Sequence, residues 1–65
     1  MKLRIKDNFE WDSQTQEYKW EVYLNDTYMK KTSKEDAFKI FMAFRKMFIE
    51  ISFTKLYGEY ILEFS

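Results

Sequence analysis

Along residues 2–12 apolar and polar side chains alternate. Leu3, Ile5, Phe9 and Trp11 fall on one side, and Lys2, Arg4, Lys6, Asn8, Glu10 and Asp12 on the other. A period of two predicts a strand with one face buried. Asp7 interrupts the apolar side, which marks either a bulge or a place where the sheet edge meets water. Residues 17–24 alternate again, with Tyr18, Trp20, Val22 and Leu24 on one face. The polar run Ser13-Gln14-Thr15-Gln16 between the two segments reads as a hairpin loop. Keeping both apolar sets on one face predicts Trp11 opposite Tyr18, and hence Phe9 opposite Trp20 and Glu10 opposite Lys19.

Asn25 and Asp26 both tolerate positive φ and predict a two-residue turn. A short third strand, Thr27 to Lys31, then pairs Val22 with Met29 on the inner face. On the outer face it pairs Tyr23 with Tyr28 and Glu21 with Lys30. After it the period changes. Ala37, Ile40, Phe41, Phe44 and Phe48 recur at helical spacing and form a core stripe, with Lys39, Lys46 and Glu50 away from it. Ser33 is a good helix cap with Asp36 three residues on, and Glu35 and Asp36 suit the positive end of the helix dipole.

Residues 50–57 admit two readings. Ile49, Ile51 and Phe53 alternate with polar neighbours, as in a strand. Phe41, Phe44, Phe48, Ile51 and Lys55 would also continue the helix, with Gly58 as its stop. The β-branched content favours strand. Tyr60 to Phe64 is strand-like in either case. The predicted fold is therefore α+β: one domain over residues 1–65, an N-terminal three-stranded antiparallel meander, one helix packed on it, and one or two C-terminal strands. Every step in this scheme is short and local.

Composition sharpens the picture in one respect. Seven Phe, five Tyr and two Trp make 22% of a 65-residue chain. Rings bury much area per residue and can stabilise a small core. A chain this short hides only about 60% of its unfolded surface, however. Surplus ring area at the surface predicts a partner. Charge adds no steering, because 11 basic residues balance 11 acidic ones. No export signal or long apolar span is legible, which favours the cytoplasm.

The chemistry of catalysis is poorly represented. The chain has no Cys and no His, so Ser and Thr lack the usual partners of an activated nucleophile, and zinc would find only carboxylates. One Gly cannot build a phosphate-cradling loop. The acidic pairs Glu10 with Asp12 and Glu35 with Asp36 read as a wet strand face and a helix start. The expectation is a protein that is not an enzyme, with no cofactor or metal.

Two surfaces are candidates for a partner. The first is the helix flank carrying Phe38, Met42, Arg45 and Ile49, beside the core stripe, where the apolar arc is wider than one contact needs. The alternative is that the C-terminal strands fold over this flank. Left open, it suits a homodimer through the helix or insertion into a groove of another protein. The second is the outer sheet face, where Lys2, Arg4, Lys6, Lys19 and Lys30 lie beside Tyr23 and Tyr28. Cations and rings together suit RNA or single-stranded DNA, although Glu10, Glu17 and Glu21 dilute the charge. The leading expectation is a non-enzymatic protein-binding module, a stoichiometric inhibitor or regulator of a larger protein. Its style resembles the small proteins of phages and mobile elements, but no family motif is present. The runner-up is a nucleic-acid binder, and a structural homo-oligomer comes third.

Overall fold

The computed structural model describes residues 1–47 and 51–64. The alternating segments form β1 (Lys2–Asp12), β2 (Glu17–Leu24) and β3 (Thr27–Ser33). The helical stripe forms α1 (Lys34–Met47). The ambiguous segment is a strand, β4 (Ile51–Leu56), followed by β5 (Glu59–Phe64). All five strands make one antiparallel sheet in the order β3-β2-β1-β5-β4. The N-terminal meander and α+β class are as the alternation predicts. Of the predicted helix stripe, Phe48 and the outward Glu50 lie outside the described residues.

Locality is where the prediction fails. β5 pairs with β1, so Leu3 faces Leu62 and Ile5 faces Tyr60 across almost the whole chain. The N-terminal amine donates to the carbonyl of Phe64, and the Phe64 N–H donates to the carbonyl of Met1. The hydrophobic core explains this closure. Leu3 and Ile5 on the central strand are buried between Val22 and Trp20 on one side and Leu62 and Phe64 on the other. Ala37 and Phe41 cover them from the helix. Over Leu3–Lys6 the central strand is paired on both sides, which satisfies its backbone groups within the sheet.

Two bulges correct the predicted registers. Trp11 faces Tyr18 as expected, but Trp20 faces Asp7 and not Phe9. Four steps along β1 thus match two along β2. The Asp7 carboxylate accepts the Phe9 N–H at 2.9 Å and bends the chain, and Phe9 takes φ of 59°. Glu10 consequently pairs with Lys31 at 3.1 Å, not with Lys19, which pairs with Asp12 and Glu17. In the second hairpin, Asn25 and Asp26 turn with φ of 51° and 64°, as a two-residue turn requires. Tyr23 faces Tyr28, but an extra residue then shifts the ladder. Val22 faces Lys30 in place of Met29, and Glu21 faces Lys31 in place of Lys30.

The helix starts where Ser33 predicts. Its hydroxyl accepts the Asp36 N–H at 3.1 Å and so caps the first turn. At the other end of the sheet, Gly58 closes the β4–β5 turn with φ of 68°. A Cβ at this position would lie 2.8 Å from Phe9 Cζ. Gly58→Ala should therefore destabilise the fold by about 1–2 kcal/mol through left-handed strain, seen as a melting temperature lower by roughly 4–8 °C per kcal/mol. A melting curve unchanged by the substitution would refute this account of the turn.

Candidate functional site

The helix is offset toward one side of the sheet. It packs on β1, β2 and β3. From its β4-facing flank, aromatic rings reach across the remaining strands. The Phe38 ring meets Tyr60 edge to face at 4.9 Å and Trp20 at 5.3 Å. The Phe41 ring meets Phe53 at 5.9 Å and Tyr60 at 6.0 Å. Of the predicted flank residues, Phe38 is thus half-buried against the core, while Met42 and Arg45 are exposed. The predicted Ile49 lies outside the described residues. The C-terminal strands approach this flank without closing over it.

Phe53 completes the patch, and sequence reasoning placed it in a strand without assigning it a surface role. The residue is 47% exposed, although the alternation of β4 points its side chain to the helix side with Ile51 and Lys55. The Arg45 guanidinium stands over the Phe53 ring at 5.8 Å, and the Lys55 ammonium over the Tyr60 ring at 5.5 Å. Along the outer side of the helix a shallow groove runs past Phe38, Lys39, Met42 and Lys46. The result is an apolar floor of Phe38, Phe53 and Tyr60 rimmed by Met42, Arg45 and Lys55. β4 bounds it as an edge strand, exposed over residues 52–56.

The outer face of the sheet is different in kind. Lys2, Arg4, Lys6, Lys19, Tyr23 and Tyr28 share it, as predicted. Lys30 does not, because the extra residue in β3 turns it to the helix side opposite Val22. Most of the cations there are already matched. Lys2 pairs with Asp26 at 3.2 Å, Arg4 with Glu59 at 3.1 Å, and Lys19 with Asp12 at 3.5 Å. Lys6 stands between Glu21 and Glu59 across the strands. Arg4 also lies 4.4 Å over the Tyr23 ring, which covers one face of the platform that would stack a base. Tyr23 and Tyr28 meet edge to face, not side by side.

Two carboxylates on the sheet hold their charge more firmly than usual. The Lys31 ammonium hydrogen bond, helped by Asn8, lowers the Glu10 pKa. The Gln14 N–H, helped by Thr15 and Lys19, lowers that of Asp12. A carboxyl more acidic in the folded than in the unfolded chain adds stability above its unfolded pKa, and loses it as pH falls through the folded value. The melting temperature should therefore fall as pH drops below about 4, and Asp12→Asn should flatten that fall. An acid limb of the same steepness in the variant would exclude Asp12 as a contributor.

A third aromatic group lies at the far end of the sheet. Phe9 and Tyr57 stack at 5.7 Å with 15° between their planes, and Tyr57 is 92% exposed. Nearby in β1 and β2, Trp11 meets Tyr18 edge to face at 5.1 Å. Among the described residues no group of three or more His, Cys, Asp or Glu side chains gathers to hold a metal ion. No described helix is long and apolar enough to cross a membrane. No family model matches the chain, and no curated protein or solved structure is significantly similar to it.

Proposed function

We propose that this protein is a non-enzymatic binding module that docks on a larger protein through the open side between α1 and β4, acting as a stoichiometric inhibitor or regulator. The observation that carries this reading is the offset of helix and sheet. It leaves Phe53 and Met42 exposed beside Arg45, at the rim of a rigid aromatic floor. Aromatic, Met and Arg side chains are the types enriched where proteins meet. A floor held by mutually packed rings loses little freedom on binding, which favours affinity. The matched charges of the outer sheet face make nucleic acid the weaker reading, since phosphate binding draws on unpaired cations.

Affinity capture from host lysate, nuclease-treated and untreated, tests both. The reading requires a captured protein that survives nuclease, is lost with Phe53→Asp or Met42→Glu, and is retained with Tyr23→Ala and Tyr28→Ala. Capture that depends on the two tyrosines and disappears with nuclease would establish the nucleic-acid reading in its place.

A further inference from the structure

The sheet has two edges, and they are not alike. β3 carries the devices that discourage strand pairing: a bulge at its register shift and the neighbouring lysines Lys30 and Lys31. β4 carries no bulge. It pairs with β5 in an unbroken register from Ile51–Phe64 to Leu56–Glu59, and it holds a single lysine. Facing residues of an antiparallel pair alternate between exchanging both backbone hydrogen bonds and exchanging none. Counted from Leu56–Glu59, the pair that closes the two-residue turn, this alternation directs the N–H and C=O of Lys55, Phe53 and Ile51 to the open side. The side chains of these same residues lie on the helix side of the sheet. An incoming strand that bonds to them sets its own alternate side chains beside Phe53 and Lys55, in front of Arg45.

Among the described residues the charged side chains placed over the rings beside β4 are basic, and Glu35, which lines the outer helix groove, is paired with Lys39 at 3.4 Å. Arg45 and Lys55 point at rings, and Lys46 lies further along the same helix. None of the three has a carboxylate partner among the described residues. The carboxylates of the neighbouring strand, Glu59 and Glu63, belong to the opposite face, beside Lys6 and Lys2.

From the open edge and this charge we infer that β4 accepts an extended, acidic segment of the partner as a sixth strand. An apolar or aromatic side chain sits beside Phe53, and a carboxylate two residues away sits beside Lys55. Backbone bonds supply the pairing, and the alternate pockets supply the selectivity. The inference rests on the protein-docking reading and names the partner chemistry for that site.

The test uses the full chain, 15N-labelled, titrated with an acetylated and amidated peptide Thr-Glu-Thr-Phe-Thr-Val-Thr. Two controls accompany it: the same peptide with Lys for Glu, and the Glu peptide N-methylated along one edge. The Glu peptide should move the amide signals of β4 and slow hydrogen exchange at Phe53 and Lys55. The Lys peptide should bind at least tenfold more weakly, and the methylated peptide should not bind. Lys55→Glu, checked for an unchanged melting temperature, should reverse the preference between the charged peptides. The inference is overturned by equal binding of both charged peptides, by shifts confined to β3, or by no shift at millimolar peptide. A sedimenting dimer with β4 amides already protected would assign the edge to a second copy and overturn it too. Should the peptides fail while Phe53→Asp still abolishes capture, docking stands without strand addition. Capture indifferent to Phe53 removes the docking reading itself.

Discussion

Phe41→Ala is expected to leave a chain that no longer unfolds cooperatively at room temperature. Phe41 is 2% exposed and is the largest buried side chain that the helix inserts against the sheet. Removing a buried Phe typically costs about 3–5 kcal/mol, from lost transfer energy together with the cavity left behind. A core of this size supplies only about 3–5 kcal/mol in total. The two magnitudes are comparable, so the loss of one ring exhausts the margin. The helix would lose its anchor to Tyr60 and Phe53 at the same time. Circular dichroism with thermal melting checks this, with Phe41→Leu as the volume-sparing control that should still melt in one step. A cooperative transition in Phe41→Ala above 40 °C would mean that the helix is held chiefly by Ala37 and Phe44.

The second large effect concerns binding and not stability. Phe53→Asp should lower the affinity for the captured partner by roughly 30-fold or more, the scale of an interface hot spot of about 2 kcal/mol. The expected change in melting temperature is within a few degrees. Phe53 is half-exposed on an edge strand, so truncation opens no internal cavity. An added carboxylate near Arg45 also has a cation to meet. Titration calorimetry with the purified partner, alongside a melting curve, separates the two quantities. An affinity within threefold of the parent protein would show that the partner does not touch β4.

How these two residues could be recognised differs. Phe41 was legible as core, because Ala37, Phe41 and Phe44 repeat at helical spacing. Phe53 was legible as a strand residue, but its exposure was not. Exposure depends on how far the helix reaches across the sheet, and no local pattern encodes that reach. The flank residues Met42 and Arg45 were read correctly as lying off the core stripe. Phe38, on the same flank, turned out to be half-buried because Tyr60 comes up beside Trp20 to meet it.

The first three strands, the Asn25–Asp26 turn and the helix start follow from forces acting within a few residues: the period of side-chain alternation, the tolerance of Asn25 and Asp26 for positive φ, and the Ser33 cap. These the amino-acid order determined alone. The pairing of β1 with β5, the register shifts at Phe9 and Met29, and the uncovered side of β4 were settled only by the folded chain. They arise where distant residues compete for one interior, as Leu62 and Phe64 do when they close on Leu3 and Ile5. The bulge in β1 is the local response: the Asp7 carboxylate accepts the Phe9 N–H where the β1–β2 register shifts.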